Sequence, residues 1–477
     1  MARRVGWWLI VLSLAAAGCV PEAKVAWSPD GRRAAVLAAD DLCLCDADGK
    51  LSARAAEKVL GVAWAYDSKR LAVLHQEQVA TWDEAKALLD VPEVAAVIAL
   101  ARQAKAEALA HEGPLEDFKP TCLDWAPPTR IALATMYLRD VEPAGLPEKL
   151  GDKWEEAKKV TVPLAVVEVG DVADDLTVRF RPPVVRTFDG LAALRLSPDG
   201  RRVACVGTPA AVRSEDLALW VVPLEGGALR QVAERVSRFP DWSVDGRFLV
   251  YAAATAAAVE GEQHLRLGTI IRREVARLDG TLLDKFADAE DLAGVLFHDR
   301  LKVRCLDGDR IVFDGGAVRL PCTAAELPAG ADLFLLDLAT RGTVTRLRPE
   351  GDQDALPAAA WFEVSPDQKR VLVQTPEGVS VLALAGGNVE DTVPAQQGGL
   401  LSLPVWRSAD EVCLAVPEGS SLGSPGRPEI VLWSARGAKV LSQSWPDAMV
   451  QGMLKVQQAK PAEPAAEGKP DAAEAAP

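Results

Sequence analysis

The chain has 477 residues, of which 49% are hydrophobic, and it carries 53 Lys and Arg against 68 Asp and Glu, a formal net charge of −15 at pH 7. An acidic balance of this size excludes binding to nucleic acid or to an anionic lipid surface through broad electrostatics. The length exceeds what one compact two-layer core organises but suits a domain assembled from many small cores.

Arg3 and Arg4 precede an apolar run from Val5 to Ala17, and small residues lead to Cys19. These are the three parts of an export signal, and the run is too short for a transmembrane helix. Ala16-Ala17-Gly18-Cys19, with Leu14 upstream, resembles the lipobox of bacterial lipoproteins, although Ala16 stands where that family more often has Leu. The resemblance implies a signal peptide over 1–18, lipid attachment at Cys19 and a short linker over 19–22. Val20 is similar to the residue found in lipoproteins sent to the periplasmic face of an outer membrane. The alternatives are a plain secretory signal and an uncleaved anchor. About eight residues separate Cys19 from Trp27, so a lipid there would hold the fold within roughly 30 Å of the bilayer.

From Trp27 the chain repeats itself. WSPDGRR (Trp27 to Arg33) returns as LSPDGRR (Leu196 to Arg202), WSVDGR (Trp242 to Arg247) and VSPDQKR (Val364 to Arg370). Worn copies are WAYDSKR at Trp64, WAPPTR at Trp125 and WRSADE at Trp406. Pro29 and Pro198 preset φ for the second position of a type I turn, with Asp30 and Asp199 third and Gly31 and Gly200 fourth. Asp245-Gly246 and Pro366-Asp367 are the corresponding turn residues of the other two copies. Apolar runs on both sides make each a tight hairpin. A second turn signal follows each copy, as in DADGK at Asp46, PLEGG at Pro223, ATRGT at Ala339 and SARGA at Ser434.

Two hairpins per unit give a four-stranded antiparallel meander, and such meanders repeated read as an all-β propeller. The pattern resembles the WD40-like repeats of TolB-type periplasmic propellers and extends over 23–454. The division predicts eight blades, with seven as the second count because the sixth unit lacks the Trp-Ser-Pro signature. Trp27, Trp64, Trp125, Leu196, Trp242 and Trp406 are expected to pack between neighbouring blades rather than to form a ligand-stacking platform.

Three excursions interrupt the repeats. Asp90-Val91-Pro92-Glu93 reads as a helix start and Gly113-Pro114 as its end, predicting an inserted helix over 92–112 that either docks a partner or plugs against the propeller. Leu138 to Lys159 and Thr255 to His264 read as loops, the first with a short helix near Trp154. The Ala-, Pro- and Glu-rich tail over 455–477 has no apolar period and reads as disordered.

A search for chemistry yields little. With Cys19 set aside, seven cysteines remain, an odd number that precludes a fully paired framework. Cys43 and Cys45 share a strand face, Cys122, Cys205, Cys305 and Cys413 read as buried apolar residues, and Cys305 with Cys322 is the one pairing to check. His75, His111, His264 and His298 share no repeat position, so no metal or cofactor site is expected. The acids Asp40, Asp41, Asp171, Asp174 and Asp175 read as solvated turns. Gly419-Ser420-Ser421-Leu422-Gly423 fits G-x-S-x-G but lacks the strand-to-helix context of a nucleophile elbow. No catalytic residues are therefore assigned. The expectation is a monomeric, membrane-anchored, extracytoplasmic propeller that binds a protein or envelope polymer without chemistry. The competing reading is a small-molecule or glycan binder, or an enzyme, working through the central channel or a loop-lined face.

Overall fold

The apolar runs after each turn are unbroken because both faces of each strand are buried. In RAAVLA, Ala34 and Val36 join one core cluster while Ala35 and Leu37 join another. The same split separates Val203 and Cys205 from Ala204 and Val206, and Leu249 and Tyr251 from Val250 and Ala252. Every such strand thus serves two cores, one toward each neighbouring unit.

The computed structural model describes residues 25–440 in segments; 1–24, 76–96, 100–115, 142–159, 276–288, 319–331, 348–360, 441–477 and several shorter stretches lie outside the description. The expected signal peptide, Cys19, the linker 19–22 and the tail 455–477 fall there, as do Cys322 and the Trp154 helix.

The first unit has β1 (Val25–Trp27), β2 (Arg33–Ala38) and β3 (Asp41–Asp46), and the second has β4 (Val59–Trp64), β5 (Leu71–His75) and β6 (Val97–Ala99). The third comprises β7 (Glu116–Ala126), β8 (Arg130–Val141), β9 (Val160–Val172) and β10 (Val178–Phe180). The fourth comprises β11 (Val185–Leu196), β12 (Arg202–Pro209), β13 (Ala218–Pro223) and β14 (Arg230–Glu234). The fifth has β15 (Asp241–Trp242), β16 (Phe248–Ala258), β17 (Arg266–Glu274) and β18 (Glu290–Phe297). The sixth has β19 (Val303–Leu306), β20 (Arg310–Val318), β21 (Asp332–Asp337) and β22 (Thr343–Arg346). The seventh runs β23 (Trp361–Val364), β24 (Arg370–Thr375), β25 (Gly378–Ala383), β26 (Val389–Pro394), and the last β27 (Val405–Trp406), β28 (Val412–Val416), β29 (Glu429–Ser434), β30 (Gly437–Val440).

The fold is an all-β propeller of antiparallel meanders. Pairings of β9 with β11 and of β18 with β20 join two pairs of adjacent units into longer sheets. In the first unit the place of the outer strand is taken by Ser52, Ala55 and Ala56, where Ala55 N–H donates to Leu42 O at 2.7 Å and Ser52 N–H to Leu44 O at 2.8 Å. Seven units are antiparallel four-stranded blades in this sense, the second of the two counts from sequence.

The departure is the second unit. Its hairpin β4–β5 is completed by β6 in parallel pairing, Leu71 opposite Val97 and Val73 opposite Ala99. This corrects the helix expected over 92–112: Val97–Ala99 is strand, and no helix occurs among the described residues. An open edge of β5 leaves backbone donors and acceptors that a short apolar segment satisfies by pairing, and local helical periodicity is outweighed. Residues 138–141 and 255–258, read as loop, extend β8 and β16.

The first strands of neighbouring units meet near the axis, as in the parallel bridge between Phe239 and Lys302. The ring closes between the last unit and the first: Val25, Ala34, Val36, Cys43 and Cys45 share a cluster with Cys413, Ile430 and Leu432. Burying each aliphatic side chain there contributes about 1.5–3 kcal/mol.

Candidate functional site: a wired rim of turns and a charged channel

The SPDG turns form as the sequence predicts. Gly31 N–H donates to Ser28 O, Gly200 N–H to Ser197 O and Gly246 N–H to Ser243 O, each at 2.8 Å. The fourth position is left-handed, with φ of 66° at Gly31, 65° at Gly200 and 70° at Gly246, which is where glycine belongs. In VSPDQKR the residue there is Gln368, at 55°.

The preceding serine has a role not read from sequence. Ser197 Oγ donates to Asp199 Oδ1 at 2.5 Å and accepts from Arg202 N–H at 3.0 Å, and Ser28, Ser243 and Ser365 do the same with Asp30, Asp245 and Asp367. Its signal was its recurrence at one position of four copies. Burial alone would raise the carboxyls of Asp30, Asp245 and Asp367, but the serine hydroxyls and the amides of Arg32, Arg247 and Lys369 outweigh it and hold them below the usual carboxylate range.

The turns are wired to one another around the ring. Arg130 Nη1 donates to Gly200 O at 2.7 Å, Arg202 Nη1 to Gly246 O at 3.2 Å, Arg370 Nη1 to Ala409 O at 2.8 Å and Arg407 Nε to Gly31 O at 3.0 Å. Asp30 N–H donates to Ser68 Oγ at 3.0 Å, and Asp307 N–H to Gln368 Oε1 at 2.7 Å. The anchor tryptophans reach the opposite way. Trp64 Nε1 donates to Ala26 O at 2.8 Å, Trp242 Nε1 to Arg195 O at 3.3 Å and Trp406 Nε1 to Glu363 O at 3.0 Å. Trp27, Trp64, Leu196, Trp242 and Trp406 all pack at inter-unit cores, as expected. The side chain of Trp125 lies outside the described residues.

Within the ring, charged side chains gather on the first strands of the fourth to seventh units. Arg195, Asp241 and Glu363 occupy the same repeat position, immediately before the hydrophobic anchor. Strand alternation turns this position away from its anchor. Sequence reading missed it because only the anchor and turn recur, while this position changes residue from unit to unit. The indole bonds to the carbonyls of Arg195 and Glu363 fix the backbone from which two of these side chains project.

Lys302, just before β19, lies among them. Its Nζ donates to Phe362 O at 2.7 Å and sits 3.5 Å from the Trp361 ring centroid, a close cation–π contact. Trp361 also meets Phe239 edge-on at 6.4 Å, reaching past the intervening sixth unit to the fifth. Desolvation, reinforced by Arg304 and Arg195 and opposed by Glu363 and Asp314, lowers the Lys302 ammonium to about 7. Burial raises Glu363 against the pull of Lys302 and Arg304, and raises Asp314, which accepts the Lys302 N–H at 2.6 Å. Arg304 pairs with Asp241 at 3.4 Å, and Asp241 accepts the Cys305 N–H at 2.9 Å.

Of the other candidates from sequence, Asp40, Asp174, Asp175, His111 and His264 lie outside the described residues, while His298 faces Asp314. Asp171 pairs with Arg130 at 2.8 Å, and Asp46 closes the DADG hairpin by accepting from Asp48 and Lys50 N–H, both at 2.9 Å. Ser420 sits in a short turn. Cys43, Cys45, Cys205, Cys305 and Cys413 are buried, and none of them is joined in a disulfide. Among the described residues no three His, Cys, Asp or Glu side chains gather as a metal-ligand set.

No protein-family model matches the chain. No curated protein matches it either. Solved structures do. TolB from Acinetobacter baumannii is 14% identical, with 73% of this chain and 87% of that one covered and a TM-score of 0.33. The β-propeller domain of the Trilobed protease from Pyrococcus furiosus is 11% identical over 70% of this chain and 85% of its own, at 0.37. Hydrazine synthase of Kuenenia stuttgartiensis is 12% identical over 83% and 92%, at 0.41. These likenesses are of fold and bring no activity with them.

Proposed function

We propose that the protein is a non-catalytic docking scaffold of the cell envelope, anchored through a lipid on Cys19, whose rim of turns binds a protein or envelope polymer. The observation that carries this reading is the wired rim. Each complete turn presents an acid and a base two residues apart: Asp30 with Arg32, Asp199 with Arg201, Asp245 with Arg247, Asp367 with Lys369. The turn backbone beneath them is held by hydrogen bonds from its own serine and from neighbouring units. A rigid array of alternating charge loses little conformational entropy on binding and suits an extended polar partner.

The test is a charge reversal of the exposed bases, Arg32, Arg201 and Lys369 to Glu together, with folding checked by circular dichroism. Co-purification of envelope material that the wild type retains and the variant loses supports rim docking; an identical bound set refutes it. Replacing Cys19 by Ser is expected to move the protein from the membrane to the soluble fraction, and no movement ends the lipid-anchor reading.

A second reading, a small-molecule binder, is favoured by one specific observation: Lys302, Glu363, Arg195 and Arg304 from three units act on one another within the ring.

A further inference from the structure

Lys302 is placed unlike an ordinary surface lysine. Its Nζ is fixed by one hydrogen bond to Phe362 O and by the face of Trp361, with the Phe362 ring centroid 4.8 Å away. The residue as a whole is half-buried, and its ammonium end is desolvated. Beside it two buried polar groups have no hydrogen-bond partner: the indole N–H of Trp361 and the amide oxygen of Gln374. Trp361 and Gln374 are paired across β23 and β24, which places their side chains on one face of that blade. A donor and an acceptor left open at one spot mark a place for a polar ligand.

We propose that Lys302 is a carbonyl-capturing amine, condensing with the aldehyde or ketone group of a small carboxylate-bearing ligand inside the ring to form an imine. The chemistry needs a neutral amine and a nearby proton source. Desolvation with Arg304 and Arg195 makes the ammonium acidic enough to shed its proton near neutrality, and Glu363 is held toward its protonated form. Other charged groups around the amine are Asp314, itself facing His298, and Asp241, which is taken up by Arg304.

In the first step the nitrogen lone pair attacks the carbonyl carbon. The C=O π pair moves to oxygen, which takes the proton of the Glu363 carboxyl, giving a carbinolamine. In the second step nitrogen returns a proton to the Glu363 carboxylate, the hydroxyl takes that proton from the carboxyl and leaves as water as the nitrogen lone pair forms the C=N bond, and the resulting iminium gives its remaining N–H proton to the Glu363 carboxylate. The balance is amine plus carbonyl to imine plus water, with no change of oxidation state. Arg195 and Arg304 supply the positive field that selects a carboxylate-bearing carbonyl over a neutral one.

The experiment treats the full chain with glyoxylate or with butanal, each with cyanoborohydride, and maps adducts by peptide mass spectrometry across pH 5–10. At pH 7 about half of an amine titrating near 7 is neutral, against about 0.04% of an ordinary lysine. Lys302 is therefore expected to be modified on the order of 10²- to 10³-fold faster than other lysines, with a midpoint near pH 7. Glyoxylate should outpace butanal at Lys302, and that preference should vanish in the double variant Arg195→Ala, Arg304→Ala. Glu363→Gln should slow the adduct without redistributing it. Lys302→Arg keeps the cation–π contact and should remove the adduct alone. Adducts spread over surface lysines without preference for Lys302, or a Lys302 midpoint above 9, overturn the proposal, and the wild type alone suffices to find either.

Discussion

Arg407 Nε donates to the carbonyl of Gly31 at 3.0 Å, joining two residues that stand 376 positions apart. The Arg407 guanidinium also lies 4.9 Å from the Trp27 ring centroid and donates to Ala47 O at 3.3 Å. One side chain of the last unit therefore clasps both hairpin turns and the anchor of the first. Arg407→Ala is expected to destabilise the protein by about 2–3 kcal/mol. Hydrogen exchange should rise first in β1 and β27, and unchanged exchange there would contradict the clasp.

Gly31 and Gly246 share a left-handed φ, 66° and 70°, but not their surroundings. A Cβ on Gly31 would lie 2.7 Å from Arg407 O, whereas on Gly246 the nearest heavy atom is 3.7 Å away. Gly246→Ala should cost the left-handed penalty of about 1–2 kcal/mol, and Gly31→Ala clearly more. Thermal melting of the two variants checks the order.

Ser197 is fully buried and stitches its turn through Asp199 and the Arg202 amide. Ser197→Ala removes both contacts at once, for an expected loss of about 1–3 kcal/mol in denaturant unfolding. Ser197→Thr keeps the hydroxyl and should recover part of it.

Asp30, Asp245 and Asp367 have folded-state pKa values depressed below the ordinary carboxylate value. Their contribution to stability is complete above the unfolded value of about 3.9 and disappears as pH falls through the lower folded values. Acid unfolding should therefore steepen below about pH 4, and the triple Asp→Asn variant should flatten that limb while leaving the neutral-pH slope unchanged. A pH titration of the melting temperature distinguishes the two.

Trp406→Phe retains most of the apolar contact but leaves Glu363 O without its indole donor, for a loss of about 1 kcal/mol. The backbone carrying Glu363 loosens with it, so the chemical shift of the Lys302 side chain should move. A Lys302 signal identical to wild type would separate the two.

The repeat, its turns and its anchors were legible because each is a local necessity recurring at fixed spacing: Pro29, Asp30 and Gly31 are what a type I turn requires, and Trp27 is what an inter-unit core requires. The channel was not. Arg195, Asp241 and Glu363 stand in register, yet they differ in sign and length, so only three-dimensional placement makes them one constellation. Arg304 is their counterpart in the sixth unit, whose turn lacks the signature, which hid its equivalence. The segment around Val97 misled for another reason: its apolar spacing suits a helix in isolation, but the unfilled edge of β5 was invisible to any local pattern.

The Trp-to-carbonyl and Arg-to-carbonyl bonds run in opposite senses around the ring, so the fourth, fifth, seventh and last modules are each both host and guest of a neighbour. Excising one repeat from the gene would strand an indole on one side and a guanidinium on the other, and duplicating one would insert a module between partners already matched. Gain or loss of a single copy is thereby obstructed.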